Sequence, residues 1–377
     1  MAASMAAPMN TPIGTVAILG AGNGGCAAAA DLTCRGFSVR IYSRNEQTIA
    51  PLKARGGIEY EGALGEGFAP LALITSDIGT AMSGADLVIC MVPTQAHGSM
   101  AALLAPNLKP EQLLLLAPGH TLLLVPLILR RAGHARPAHC ETGTLPYICR
   151  KSSPERVRIT KANQHLPFPV FPGRMRDEVS ERMRPVLPPL RPQASILDTV
   201  FAYVNAIHHP PAAFCNVGRI EASGGDYCHY YDGVSPAVGK LIDALDRERL
   251  AVASALGSHA EPFVEYFHRA GYTTDAARDS GLAYEAFHQS EPDRWIRAPA
   301  SLAHRFFDED IPYGLVPLAE LARLAGVATP AMDSLIHLSS VATGKDYRGS
   351  GLTLERMGVT GKKPGELGKL LDLGYPD

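Results

Sequence analysis

Two clusters in the second half of the chain carry the side chains best suited to acid–base chemistry. The first is Asn205-Ala206-Ile207-His208-His209-Pro210-Pro211, followed by Asn216-Val217-Gly218-Arg219-Ile220-Glu221. A proline in the first helical turn can open a helix, so the pattern predicts His209 near a helix N-terminus. The positive dipole end there would hold the imidazole neutral and able to take a proton. The alternative is a pair of surface histidines at a helix cap. The second cluster runs from His304 to Pro317 and holds Arg305 five residues before Asp310, among Phe306, Phe307 and an Ile311-Pro312-Tyr313-Gly314 turn. Arginine pairs bidentately with carboxylates, and an aspartate fixes a histidine's tautomer and steadies its cation. The alternative is an acidic helix cap beside a surface arginine. His208, His209, Cys215, Cys228 and His229 match no standard ligand spacing, so no metal is expected.

A third cluster binds rather than reacts. Gly20-Ala21-Gly22-Asn23-Gly24-Gly25 follows the apolar run Thr15–Leu19 and precedes the alanine-rich segment from Cys26. Strand, glycine turn and helix together make a dinucleotide fingerprint of GxGxxG type. Gly20 permits the turn, Gly22 lets backbone approach the pyrophosphate, Gly25 allows close helix packing, and the helix N-terminus faces the phosphates. Asn23 and Gly24 belong to the same expected contact surface. After the next strand, Ser38–Tyr42, the chain has Ser43-Arg44-Asn45 instead of an acidic residue. A hydroxyl and a guanidinium suit a ribose 2′-phosphate, so NADP is favoured. If Arg44 instead stacks on adenine, NAD serves as well. The apolar strand ending near Val92 leads into Pro93-Thr94-Gln95-Ala96-His97, where Pro93, Thr94, Gln95 and His97 are expected ribose or nicotinamide contacts. A plain polar turn is the equal alternative.

The elements that must hold these groups follow from periodicity. Apolar runs at 86–92, 113–117 and 139–142 read as further strands of a parallel sheet, with their carboxyl ends toward the ligand. The loop 143–150 is a candidate substrate contact, and 156–160 with 167–171 would form an edge hairpin. Pro185, Pro188, Pro189 and Pro192 exclude a helix and mark a domain connection nearby. Beyond about residue 200 the spacing becomes helical, at 237–256, 317–324 and 331–341. The expected fold class is α/β: a Rossmann domain over 13–198, then an all-helical substrate and catalytic domain over 199–377, with a cleft between them and a flexible tail over 1–12.

Composition bounds the rest. The chain of 377 residues is 46% hydrophobic and 19% charged, with a net charge of -2. That charge gives no field to attract nucleic acid or an anionic membrane. No stretch reads as a membrane span or secretory signal, and seven cysteines without CxxC suggest reduced thiols and a cytoplasmic setting.

Several separated blocks resemble the opine dehydrogenases, the octopine and nopaline family. They are Ile18-Leu19-Gly20-Ala21-Gly22-Asn23, Pro146-Tyr147-Ile148-Cys149-Arg150, Asn205-x-x-x-His209-Pro210 and Arg305-Phe306-x-x-Glu309-Asp310-Ile311. The resemblance runs from the glycine turn to about Ser339. It implies reductive condensation of an amino acid with a 2-oxo acid (pyruvate or 2-oxoglutarate) through an imine, reduced by NADPH or NADH. It also implies His209 as general acid/base, Asp310 as its orienting partner, Arg305 on a substrate carboxylate, and Thr142 beside Glu141 helping to hold substrate. The expected partners are these small molecules and a second copy in a homodimer. The competing readings are a two-domain dehydrogenase of 2-hydroxy acids or sugar phosphates, and a non-catalytic NADP(H)-binding regulator. The segment after about Gly344 lies outside the resemblance.

Overall fold

The computed structural model describes residues 12–134 and 138–376. The tail expected over 1–12 lies, but for its last residue, outside them. The chain forms two compact units, one made of residues up to Thr199 with those from Lys369 onward, the other Val200–Gly368. The segment from Lys369 joins the first unit because Arg130 donates to the Pro376 carbonyl at 2.9 Å and the Tyr375 ring meets Arg130 and Phe171.

The first unit holds strands β1 (Thr15–Leu19), β2 (Ser38–Tyr42), β3 (Gly57–Gly62), β4 (Gly67–Pro70), β5 (Leu73–Thr75), β6 (Leu87–Cys90), β7 (Leu113–Leu116), β8 (His139–Glu141), β9 (Tyr147–Ser153), β10 (Arg156–Ala162), β11 (Leu166–Phe168), β12 (Val170–Phe171) and β13 (Leu190–Pro192). Seven of them form a sheet in the order β12-β8-β7-β6-β1-β2-β5, parallel except for β12. Its central strands are apolar at every position because they are buried on both faces. Leu87, Ile89, Leu113 and Leu115 point into one core with the helix Asn23–Cys34, while Val88, Cys90, Leu114 and Leu116 point into the other. That alternation follows from the two-residue period of a strand.

The edge hairpin expected from 156–160 and 167–171 does not form. β10 pairs antiparallel with β9 and parallel with β3, in a second sheet ordered β4-β3-β10-β9, whereas β12 pairs with β8 and β11 with β13. Likewise, much of the loop expected over 143–150 is strand β9, and the Tyr147 hydroxyl is bound to Asp31 at 2.7 Å. Backbone pairing with β10 uses groups that a free loop would have offered to substrate.

The second unit is helical. Its longest helix, Pro236–Ala255, is capped by Ser235, and Val316–Ala325 and Pro330–Thr343 end at Gly326 and Gly344 in left-handed conformations. Glycine is the residue that adopts that conformation without a steric cost. Among the described residues, no helix is long and apolar enough to cross a membrane.

Candidate active site

At the glycine turn the structure separates three glycine roles. Gly20 has φ +127°, and a Cβ there would stand 2.4 Å from the Met91 carbonyl oxygen. A Cβ on Gly25 would stand 1.7 Å from the Gly20 carbonyl oxygen. Both positions are closed to side chains. Gly22, by contrast, has nothing within 4 Å of its Cβ direction. That bare approach, in front of a helix whose first N–H groups lack intrahelical acceptors, fits a pyrophosphate. A Cβ on Gly24 would press on Met91 and Leu145. The Asn23 side-chain oxygen accepts the Lys151 N–H at 2.9 Å.

Ser43 and Arg44 stand just beyond β2. The Ser43 hydroxyl accepts the Asn45 N–H at 3.2 Å, and among the described residues Arg44 has no acidic partner. A free guanidinium there fits a phosphate as well as a ribose. Pro93 is exposed and Thr94 buried, just beyond the end of β6. His97, an expected cofactor contact, instead faces inward, with Nδ1 3.2 Å from the Thr121 hydroxyl, and burial holds its pKa down to about 4. An apolar helix face drew it into the core.

Thr142 and Glu141 sit at the end of β8, both fully buried. Glu141 lies 2.9 Å from His139 Nε2 and 2.8 Å from the Thr199 hydroxyl, and His120 Nδ1 bonds the Thr199 carbonyl at 3.0 Å. Burial pushes the Glu141 carboxyl up, but bonds from His139 and Thr199 and the nearby His120 outweigh it and hold it below its ordinary value. Among the described residues the Thr142 hydroxyl has no hydrogen-bond partner.

In the second unit, His209 Nδ1 lies 2.8 Å from Asp310 Oδ2, a contact across 101 positions of sequence. His209 is not at a helix N-terminus as expected. It is the fifth residue of the helix Asn205–Phe214, with Pro210 and Pro211 inside that helix. Lacking N–H groups, these prolines leave the carbonyls of Ala206 and Ile207 without their usual helical donors. Nor are the histidines on the surface: His208 is 4% exposed and His209 9%. His208 Nδ1–H donates to the Val204 carbonyl at 2.8 Å, and the ring packs among Tyr230, Phe263 and Phe287, so it is structural.

Asp310 reaches His209 through a π-helical turn, Ile311–Leu315. Gly314 makes the approach possible, since a Cβ there would stand 2.6 Å from the Ala206 Cβ and 3.3 Å from Tyr203 Cε1. Asp310 is fully buried, and its other oxygen accepts the Tyr203 hydroxyl. Burial pushes the Asp310 carboxyl up, opposed by Arg305 and by the Tyr203 bond. Burial, then Arg305 and His304, hold His209 well below its ordinary value, so the free imidazole is neutral. The cause is desolvation and charge, not a helix dipole. Arg305 is exposed and leans on Glu309, its Nε 3.3 Å from Oε2. Phe306 packs on His209 with ring centroids 4.2 Å apart. Tyr203 lies outside every block singled out above, and its spacing to either partner carries no motif that would have found it.

Comparisons with known proteins agree with both units. A family model described as NAD/NADP octopine/nopaline dehydrogenase, alpha-helical domain, matches residues 192–343, and one for the NAD-dependent glycerol-3-phosphate dehydrogenase N-terminus matches residues 15–118. Opine dehydrogenase of Arthrobacter sp. (strain 1C) is 35% identical over 349 residues, spanning 92% of this chain and 96% of that one. Among solved structures, octopine dehydrogenase in complex with NADH and agmatine has a TM-score of 0.78 at 21% identity, covering 96% of this chain and 99% of that one. NADP+-bound yersinopine dehydrogenase gives 0.75 at 15% identity, covering 96% and 98%, and both likenesses concern the fold.

A Rossmann dinucleotide domain followed by a helical domain makes this chain an NAD(P)-dependent oxidoreductase. It belongs to the opine dehydrogenase family and acts on CH–NH bonds. The hydroxy-acid dehydrogenase and the non-catalytic regulator are thereby set aside.

Proposed function

We propose that the protein condenses the amine of an amino acid with pyruvate or 2-oxoglutarate and reduces the imine to an N-(carboxyalkyl) amino acid, with NADPH preferred to NADH. The observation that carries this reading is the buried His209–Asp310 pair with Arg305 beside it. Asp310 holds the Nδ1 hydrogen of His209, which leaves Nε2 to exchange a proton with the substrate nitrogen. Arg305 takes a substrate carboxylate, for which its exposed fork is suited. Thr142 offers the substrate a buried hydroxyl that has no partner among the described residues. The dinucleotide, when bound, supplies the hydride; Gly20, Gly22, Asn23, Gly24 and Gly25 cradle its phosphates, Pro93 and Thr94 line its nicotinamide half, and Ser43 with Arg44 hold the 2′-phosphate. On this reading residues 13–198 form the cofactor domain, and the helical unit supplies acid–base chemistry. Octopine dehydrogenase structures with NADH and L-arginine and with NADH and pyruvate support the reactant classes, and the NADP+ complex of yersinopine dehydrogenase leaves both cofactors open.

The direct test follows nicotinamide absorbance with NADPH, then NADH, while each oxo acid is added with and without a panel of amino acids. Oxidation that needs both reactants supports the reading; oxidation with oxo acid alone refutes it. Arg44→Ala tests the cofactor choice. Losing a charge-assisted contact worth about 1.5–3 kcal/mol raises KM for NADPH about 10- to 100-fold. KM for NADH should stay within about twofold, because the contact is to the 2′-phosphate alone. Equal changes for both cofactors would sink the assignment of Arg44.

A further inference from the structure

The phenol of Tyr203 is buried, and its O–H donates to Asp310 Oδ1 while Oδ2 of the same carboxylate holds His209 Nδ1 at 2.8 Å. Arg305 is within hydrogen-bonding reach of the same hydroxyl. One oxygen atom therefore links the carboxylate that orients the imidazole to the guanidinium expected to receive substrate. We propose that Tyr203 is a positioning residue of the reaction, fixing the plane of the Asp310 carboxylate and, through it, the direction of His209 Nε2 relative to Arg305. The inference rests on the roles given above to His209, Asp310 and Arg305.

The physical case has three parts. An aspartate's terminal torsion is soft and two-fold, so one hydrogen bond to His209 leaves the carboxylate plane free to swing. A second bond on the other oxygen removes that freedom before substrate arrives, which is the condition for efficient proton transfer. Tyr203 can serve because it stays a donor. Burial, then the charge of Asp310, hold its phenol well above its ordinary value, so it is never ionised in the working range. The backbone is also fixed, with the Ala206 N–H bonded to the Tyr203 carbonyl at 3.3 Å and Gly314 packed against the ring.

Tyr203→Phe removes only the hydroxyl. The charged and titratable groups around Asp310 and the Tyr203 hydroxyl are Arg305, His304 and Glu309, His208 and His209 on the proline-bearing helix, and Tyr230. With these unchanged, the variant should lower kcat about tenfold and leave KM for the cofactor unaltered. The Tyr203 bond favours the charged form of Asp310, so its loss raises that pKa. Activity that needs the carboxylate is then lost at higher pH, and the low-pH limb of kcat/KM moves up. In an Asp310→Asn background the same change should cost less than about twofold, because Tyr203 acts through Asp310. A full, additive loss in that background with an unmoved limb overturns the proposal. If Tyr203→Phe does not fold, 3-fluorotyrosine at position 203 keeps the ring shape and strengthens the donor. The limb then moves down, and an unmoved limb overturns the proposal. Titration of the His209 ring by NMR reads the same coupling without turnover. A shifted titration without amine-dependent turnover overturns only the opine reaction, whereas an unshifted one overturns the role of Tyr203.

Discussion

His209→Asn should lower kcat for amine-dependent oxidation of the nicotinamide by about 10²- to 10⁴-fold, the usual yield of a positioned acid–base group. Asparagine is the right replacement because its Nδ2 is joined to the backbone through the same number of bonds as histidine Nδ1. It can still donate to Asp310 Oδ2, where the native contact is 2.8 Å. A buried carboxylate stripped of that donor would cost several kcal/mol and confuse lost folding with lost chemistry. What asparagine lacks is any counterpart to Nε2. The affinity for NADPH, measured by fluorescence titration, should therefore stay within about twofold, since the dinucleotide contacts lie elsewhere. Turnover within a factor of about ten of the native rate would remove His209 from the mechanism. Asp310→Asn should fall in the same direction, by about 10²-fold or more, because the amide can hold the ring in the wrong tautomer.

The second large effect separates two glycines three residues apart. Gly25→Ala places a methyl 1.7 Å from the Gly20 carbonyl oxygen. That carbonyl belongs to a residue at φ +127° whose N–H is bonded to the Tyr42 carbonyl at 2.9 Å, so it has little room to yield. Overpacking of this kind costs about 1–3 kcal/mol or more, a large share of a typical domain's stability. The midpoint of thermal unfolding should drop by roughly 5–10 °C, if soluble protein forms at all. Gly22→Ala behaves otherwise. Its backbone, at φ -80° and ψ -165°, is extended, and nothing lies within 4 Å of the added methyl. Thermal stability should be unchanged, while KM for NADPH rises about tenfold or more because the methyl occupies the approach of the pyrophosphate. Equal losses of stability in the two variants, or normal cofactor binding by Gly22→Ala, would contradict this division of labour.

Much of the first unit was legible along the chain. The runs Thr15–Leu19, Ser38–Tyr42 and Leu113–Leu116 are strands because each is short, apolar and bounded by turns, and those are local properties. The glycine turn was legible for the same reason, since backbone conformation constrains which residues can stand there. Pairing partners were harder. β9 and β10 both carry ordinary strand composition, and nothing in either says that β3, about a hundred residues earlier, will complete the sheet. Likewise His97 reads as a loop histidine until packing turns it inward against Thr121.

The helical unit draws the line more sharply. Residue order alone was enough to mark the histidine block, the arginine–aspartate block, the helical periodicity and the family, because each is carried by neighbours in the chain. It could not reveal that His209 would be buried in mid-helix, that desolvation and Arg305 would hold it neutral, or that Tyr203 would complete the carboxylate's bonds. Those facts arise where the turn at Gly314 comes close enough to Ala206 and Tyr203 to bring Asp310 to an imidazole 101 positions away. Burial and long-range contact are properties of packed surfaces, and the energies that set a site's protonation depend on them more than on any residue's neighbours in sequence.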